Sequence, residues 1–349
     1  MRKIIAIIGA RPQFIKHFSF EKACEEKIEL ITIHTGQHYD SNMSEVFFNQ
    51  LEMNEPNYML NIGSGNHGLQ TAKMMIDIEK IVEDEKPKGI VVYGDTNSTL
   101  AGALVAAKLH IPIFHIEAGL RSYNKEMPEE VNRVLTDHIS TCLFAPSETA
   151  ITNLKKEGII KGVYNVGDIM KDLVNYIKLN NLIKEKELLE NYYYITIHRP
   201  YNTDSKDRLS YILYILNTLK LKVVMSIHPR TSNLMKKYDL KKENYPNISF
   251  IDPQSYFDNL TYLYHSEGLI TDSGGMQKEA YWLKKQCVTI RKETEWVETL
   301  KHGANTLLFD DLTDIDKCLN FEEVEWDNNL YGKGKCAKEI VNCLKSILS

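Results

Sequence analysis

Residues 89–103 read GIVVYGDTNSTLAGA, and the way this stretch divides decides the fold. Gly89 to Asp95 is a short run rich in β-branched residues, closed by a glycine and an acid, the pattern of a strand buried on both faces. Ser98 to Leu109 then reads as a helix, so a polar turn hands the chain from strand to helix as in half of a βαβ unit. The same alternation recurs on either side. KIIAIIG (Lys3 to Gly9) is a buried strand, and Arg11-Pro12 opens a helix with proline in its first turn. IELITIHTG (Ile28 to Gly36), IPIFHIEAG (Ile111 to Gly119), TCLFAPS (Thr141 to Ser147) and GVYNVGD (Gly162 to Asp168) are further strands, and PEEVNRVLTDHIS (Pro128 to Ser140) has the proline and paired acids of a helix start.

A charged helical segment, Met170 to Glu190, interrupts the series. The alternation restarts with YYYITIHRP (Tyr192 to Pro200) and KVVMSIHPR (Lys222 to Arg230). ISFIDP (Ile248 to Pro253), GLITDS (Gly268 to Ser273) and QCVTIR (Gln286 to Arg291) follow. The chain is therefore expected to be α/β, with two Rossmann-like, doubly wound parallel-sheet domains facing a central cleft. The expected division is 1–168, 169–334, and a last helix in 335–349 that packs back on one half. At 349 residues the length suits two domains.

Composition removes other classes. Forty-two basic against 47 acidic side chains leave a formal charge of −5, which argues against a nucleic-acid coat but leaves room for a local basic pocket. The six cysteines form no CxxC pair and read as reduced thiols of a cytoplasmic protein. No HxH or HExxH spacing suggests a metal. The opening MRKIIAIIGARP resembles a signal peptide only in outline, because Arg11-Pro12 stands where small cleavage residues belong. The most apolar later stretch, Thr99 to Leu120, is broken by Lys108, His110, His115 and Glu117 and does not read as a membrane span.

Polar residues crowd the strand ends: Arg11, Gln37-His38, Asp95 and Glu117 in the first half, and His198-Arg199, His228-Pro229-Arg230 and Asp272-Ser273-Gly274-Gly275 in the second. Ligands of open α/β sheets bind beyond such ends. TDSGGMQKEA (Thr271 to Ala280) reads as a strand turning into a helix whose free N–H groups can hold an anion. Ser273, Gly274 and Gly275 lie at the turn, and Glu279 is placed to meet ribose hydroxyls. An ordinary N-cap fits the same residues. Arg11 and Lys16, around the first helix start, could meet the same anion. Asp95, Glu117 and Glu129 form a carboxylate set suited to proton transfer, while Glu117 could instead pair with Arg121 and Glu129 could simply favour its helix dipole. His198 and His228 are candidate acids, bases or phosphate ligands. A competing motif, Gly63-Ser64-Gly65-Asn66-His67-Gly68, matches GxGxxG, but Asn57 to Asn61 before it makes a poor buried strand.

Taken in order, IIGARPQFIK (Ile7 to Lys16), TGQHYD (Thr35 to Asp40), YGDTNSTLAGA, HIEAGLRS (His115 to Ser122), MPEEVNR (Met127 to Arg133), DSGGMQKEA and RKETEWVE (Arg291 to Glu298) resemble the non-hydrolysing UDP-N-acetylglucosamine 2-epimerase family over essentially the whole chain. The resemblance implies a GT-B-like fold and an isomerase acting on a UDP-sugar. UDP leaves in an anti elimination of the C2 proton and adds back after reprotonation from the other face. It implies no cofactor, no metal, no nucleic-acid or membrane partner, a cytoplasmic homodimer, and a role in surface-polysaccharide precursor synthesis. It places Arg11, Lys16 and His198 near the phosphates and reacting sugar, Asp95, Glu117 and Glu129 in proton transfer, Ser273, Gly274 and Gly275 on the phosphate and Glu279 on the ribose. A GT-B glycosyltransferase, a hydrolysing relative and a nucleotide-sugar sensor are the rival readings. Departures are also visible. Tyr39-Asp40 and Lys73 stand where many bacterial members carry residues of an activating second substrate site. Ala10 and Gln13 replace the usual threonine and glutamate, and Trp296-Val297 replace Arg-Pro. With Lys278, these resemble the branch acting on UDP-2,3-diacetamido-2,3-dideoxyglucuronate.

Overall fold

The structure, a computed structural model, describes residues 2–25, 28–37, 53–183 and 191–348; the side chain of Arg11 also lies outside the description. The chain separates into two compact units, Met1–Tyr176 with Asn329–Ser349, and Ile177–Asn328.

The first unit is built on seven parallel strands: β1 (Arg2–Ile8), β2 (Ile28–His34), β3 (Tyr58–Met59), β4 (Ile90–Tyr93), β5 (Ile113–Ile116), β6 (Cys142–Ala145) and β7 (Val163–Asn165). Their order is β3-β2-β1-β4-β5-β6-β7. Helices α1 (Arg11–Cys24), α2 (His67–Glu85), α3 (Asn97–Lys108), α4 (Pro128–Ile139), α5 (Glu148–Lys156) and α6 (Ile169–Leu179) alternate with the strands. The unbroken apolar run of β1 is explained by two cores. Ile4, Ala6 and Ile8 enter the cluster that includes Phe14 and Ile340, while Ile5 and Ile7 enter the one that includes Ile78 and Ala101. Successive side chains of a strand point to opposite faces, so a strand covered on both sides must be apolar throughout. The C-terminal helix, Cys336–Ile347, contributes Ile340, Val341 and Leu344 to the first of these cores. Its N-terminus is capped from α6: the Asp172 carboxylate accepts the Cys336 N–H at 3.1 Å and the Ala337 N–H at 2.8 Å.

The second unit repeats the plan with β8 (Tyr192–Thr196), β9 (Lys222–Ser226), β10 (Ile248–Ile251), β11 (Gly268–Thr271), β12 (Gln286–Ile290) and β13 (Asn305–Leu308), in the order β10-β9-β8-β11-β12-β13. Helices α7 (Pro200–Thr203), α8 (Lys206–Thr218), α9 (Pro229–Lys237), α10 (Tyr256–His265) and α11 (Gly274–Trp282) connect them. In each unit the chain reverses its direction of travel across the sheet beside the first strand, between β1 and β4 and between β8 and β11. Such a reversal opens a crevice at the carboxyl ends of the two strands, and that is where open α/β sheets take their ligands.

Two sequence expectations need correction, and a third reading, of the GxGxxG stretch, agrees with the structure. The helix expected over Met170 to Glu190 runs only from Ile169 to Leu179, and residues 184–190 lie outside the described residues. Strands β3 and β13 were not anticipated, because a two-residue edge strand and the half-buried NTLL carry too little apolar signal. The GxGxxG stretch follows that edge strand, not the central β1, so it lacks the context of a dinucleotide site; Gly68 lies inside α2. No helix among the described residues is long and apolar enough to cross a membrane.

A buried histidine makes the stability of the first unit pH-dependent. His17 lies between the Tyr93 hydroxyl (2.8 Å) and the Thr32 hydroxyl (3.0 Å), and burial pushes it down to about 3. The folded chain keeps it neutral while the unfolded chain protonates it near pH 6.5. Its contribution is therefore complete above pH 6.5 and is lost progressively as pH falls toward 3, on the order of 2 kcal/mol between pH 7 and pH 5. His17→Gln should flatten the fall in unfolding free energy by about that amount. Urea titrations of both proteins at pH 7 and pH 5 measure it, and equal falls would refute a neutral His17.

Candidate active site

In the first unit the site grows from the turn between β1 and α1. Gly9 packs so tightly on the hydroxyls of Thr35 and Ser98 that no side chain fits there. The buried amide of Gln13 folds back over this turn. Its Oε1 accepts the N–H groups of Gly9 (2.8 Å) and Ala10 (3.1 Å), and its Nε2 donates to the Tyr93 carbonyl (2.9 Å) and the hydroxyls of Thr96 and Thr99 (both 3.0 Å). One side chain thus ties the start of α1 to the β4–α3 loop that carries Asp95. Gln37 joins from the end of β2, where its Oε1 accepts the Ser98 N–H at 3.0 Å and hydroxyl at 2.7 Å. His38 lies outside the described residues.

Asp95 and Glu117 end the adjacent strands β4 and β5, and each faces a cation. Lys16, buried on α1, pairs with Glu117. Arg133 on α4 holds Asp95 through Nη2 and through Nε at 3.1 Å. Gly94, in the left-handed region at φ +62, lets the backbone pass close to both Glu117 and Lys16, where a Cβ would lie 3.1 Å from the carboxylate. Glu117 itself has φ +72, a strained conformation for a residue with a side chain and a common signature of functional loops. Burial raises the pKa of Asp95; Arg133 and Lys16 oppose the shift, and the Glu117 charge adds to it. The net direction is upward, so desolvation outweighs two cations.

The surrounding network fixes these groups. Asn132 donates to the Asp95 carbonyl (2.9 Å) and Asn97 (3.1 Å), and Glu130 accepts from the backbone N–H groups of Ser122 (2.9 Å) and Tyr123 (2.8 Å) and from Arg133 (3.1 Å). His115 lies between the Asp137 carboxylate and the Gly94 carbonyl, each at 2.7 Å. Burial pushes Asp137 up, but His115 and Arg121 outweigh it and hold the carboxyl below its usual range. Arg121 pairs with Asp137 and Glu157, so the alternative pairing with Glu117 does not form. Glu129 is exposed on the first turn of α4. It sits one helical turn before Arg133 and three residues before Asn132, on the face from which both reach Asp95. Arg11 opens α1, its side chain outside the described residues.

The second unit presents a different chemistry at its own strand ends. Ser273 is the N-cap of α11, followed by Gly274 and Gly275. A Cβ on Gly274 would meet the Glu295 carboxylate at 2.6 Å, whereas Gly275 is open. Glu295 pairs with Arg291 at 3.0 Å. Glu279 is buried a little over one turn into α11. His198, after β8, lies 5.5 Å from His228, ring to ring, and its Nδ1 is 3.3 Å from the buried Asp272. Burial lowers the His198 pKa, Asp272 opposes, and Arg199 and His228 reinforce the fall. His228 caps α9, its Nδ1 accepting the Arg230 N–H at 3.2 Å. Two departures noted in the sequence meet here: the Lys278 ammonium sits 3.5 Å above the Trp296 ring. Among the described residues no His, Cys, Asp and Glu group is arranged to hold a metal ion.

Arg133, Gln13 and Asn132 were not singled out as site residues from sequence, and Asp272 was noted only among the polar strand ends. A signal for Arg133 existed in MPEEVNR, four residues beyond Glu129 on one helical face. Gln13 was noted only as a departure.

Each unit thus carries polar groups at the carboxyl ends of a parallel sheet, carboxylates in the first and a glycine-rich helix start with histidines in the second. The family model described as UDP-N-acetylglucosamine 2-epimerase matches residues 22–345, and the chain belongs to that family of isomerases. It is 44% identical to the UDP-2,3-diacetamido-2,3-dideoxy-D-glucuronate 2-epimerase of Pseudomonas aeruginosa, over 99% of this chain and 100% of that one. It is 47% identical to a UDP-N-acetylglucosamine 2-epimerase homolog of Methanococcus maripaludis, with the same coverage. The crystal structure of the Methanocaldococcus jannaschii UDP-GlcNAc 2-epimerase in complex with UDP-GlcNAc and UDP superposes with a TM-score of 0.88 at 42% identity, covering 99% of this chain and 100% of that one. Acinetobacter baumannii MurG, at 9% identity and a TM-score of 0.58, shares the fold alone.

Gln13 gives a direct test of the network. Glutamate is isosteric but cannot donate to the Tyr93 carbonyl, so Gln13→Glu should cost about 1–3 kcal/mol of unfolding free energy. Denaturant titration at pH 7.5 reads the change; an unchanged midpoint would show that the amide donors carry nothing.

Proposed function

We propose that this chain is a non-hydrolysing UDP-N-acetylhexosamine 2-epimerase that eliminates UDP and adds it back. The observation that carries this reading is the placement of Asp95 and Glu117 on adjacent strand ends, each against its own cation. The reaction has two demands. A weakly acidic C2 proton must be removed, and charge must be compensated both on the departing diphosphate and on an oxocarbenium-like sugar. In the forward step a carboxylate takes the C2 proton, the C2–H electron pair forms the C1=C2 bond of a 2-acetamidoglucal, and the C1–O pair leaves with UDP. In the return step C2 receives a proton on the opposite face and a UDP oxygen attacks C1.

Asp95 is assigned to the proton, because burial moves its carboxyl upward toward the range where a group both accepts and returns one. Glu117 supplies a fixed negative charge for the cationic sugar, and Lys16 keeps it in place. Glu129, one turn from Arg133, is the third carboxylate of the set. In the second unit the start of α11 at Ser273, Gly274 and Gly275, with His198 and His228, receives the diphosphate, and Glu279 receives the ribose hydroxyls. Arg11 joins them on this reading. The similarity to relatives named for two different sugars makes UDP-N-acetylglucosamine and UDP-2,3-diacetamido-2,3-dideoxyglucuronate the two substrates to test. Six free cysteines suit the reducing cytoplasm, where we place the enzyme as a homodimer supplying a polysaccharide precursor.

Incubation with each UDP-sugar in heavy water, followed by proton NMR, should give the C2 epimer with deuterium at C2 and the UDP linkage intact. Release of UDP with free sugar would mean hydrolysis. An absence of exchange with both sugars would favour a glycosyltransferase or a sensor. Asp95→Asn should lower turnover by at least roughly 10²-fold, the low end for losing a general acid–base group. A folded variant with near-normal turnover would remove Asp95 from the chemistry.

A further inference from the structure

Asp272 carries no role in the reaction as outlined, yet it is a buried acid of the second unit that accepts hydrogen bonds from three residues. Its side chain is fully buried at the end of β11, one residue before the helix-start loop. Oδ2 accepts the N–H groups of His198 (3.1 Å) and Arg199 (2.9 Å) and the Asn202 amide (3.1 Å). Oδ1 accepts the His198 N–H at 3.1 Å and faces Nδ1 of the same residue at 3.3 Å. Asp272 thus holds the His198 backbone and sets a carboxylate beside its ring. The carboxylate lies on the Nδ1 side of the ring, which leaves Nε2 as the nitrogen farther from it. His198 is a little over one-third exposed at its side chain, so the ring can meet solvent or ligand.

Among the described residues, three charged or titratable groups act on the ring. Asp272 comes from the β11–α11 turn, Arg199 from the same loop as the histidine, and His228 from the end of β9. His228 spends its Nδ1 on the Arg230 N–H, which in the neutral ring leaves its hydrogen on Nε2. Burial favours the neutral ring and two of the three neighbours can carry positive charge, so the His198 pKa lies below its usual value although Asp272 opposes the shift. An incoming diphosphate reverses that balance. It adds negative charge opposite the one already supplied by Asp272, and the ring between two anionic groups is stabilised as an imidazolium.

We infer that Asp272 is a positioning residue for His198, fixing its backbone and holding a carboxylate beside Nδ1 so that the imidazole takes up a proton from solvent when an anionic diphosphate binds. The proton that arrives is then available to hydrogen-bond, and to neutralise, the phosphate oxygen that becomes the leaving group. The inference rests on the reading that this unit binds the diphosphate of a UDP-sugar, and adds to it a coupling between ligand binding and protonation.

The test is calorimetry of UDP binding to the full chain at pH 7.5 in two buffers of different ionisation enthalpy, for the wild type, His198→Asn, Asp272→Asn and the double variant. The wild type should take up protons on binding, and His198→Asn should remove that uptake; their difference cancels the contribution of UDP's own terminal phosphate. Asp272→Asn should reduce the uptake and weaken UDP about tenfold, and should cost almost nothing further in the His198→Asn background. Equal proton uptake by wild type and His198→Asn would overturn the inference. So would an Asp272→Asn penalty as large in the double variant as alone, which would show a purely structural role. If Asp272→Asn does not fold, the wild type against His198→Asn comparison still decides. A wild type that binds no UDP would instead bring down the functional reading on which the inference stands.

Discussion

A carboxylate withdrawn from water must be paired, hydrogen-bonded or protonated, and the first unit uses this constraint in two opposite ways. Asp137 touches both His115 and Arg121, and the two contacts outweigh its burial, so it stays ionised as a structural strut. Asp95 also has a guanidinium against it, but the neighbouring Glu117 charge works with burial, and its carboxyl is displaced upward. Both acids sit near the same strand ends and have an arginine partner. The number and sign of their other neighbours separates a strut from a group able to exchange a proton.

The second unit has the same strand order as the first and puts different groups at the same topological position. There the buried Asp272 accepts the backbone N–H groups of His198 and Arg199 and the Asn202 amide, beside an imidazole and the start of a helix. A fold of this kind sets where a ligand can bind but not what it is; the loops at the reversal point decide that.

Departures from the more usual motifs become intelligible as contacts. Gln13 must both accept and donate, which an amide does and a carboxylate cannot, so its identity follows from the carbonyl of Tyr93 and the two N–H groups it bridges. Lys278 and Trp296, eighteen residues apart, form one cation–π contact in which a buried ammonium rests on an indole face. Read separately they are two substitutions; in the folded unit they are one interaction.

The amino-acid sequence by itself determined the alternation of strand and helix, because strands covered on both faces must be continuously apolar and their ends must turn through glycine and polar residues. KIIAIIG and GIVVYGD are unambiguous for that reason, and so is the presence of Asp95, Glu117, His198 and Asp272 at strand ends. Short strands at the sheet edges, such as Tyr58–Met59 and Asn305–Leu308, escaped notice because little of their surface is buried and no periodicity develops. Tertiary structure alone decided the pairings: Lys16 with Glu117 across 101 residues, Arg133 with Asp95 across 38, and Asp272 with His198 across 74. It also decided that Arg121 serves Asp137 and Glu157, leaving Glu117 to Lys16. Charge pairing acts over a few ångströms in space with no regard for distance along the chain. Local patterns reveal which residues reach the strand ends, and only the folded sheet reveals which of them meet.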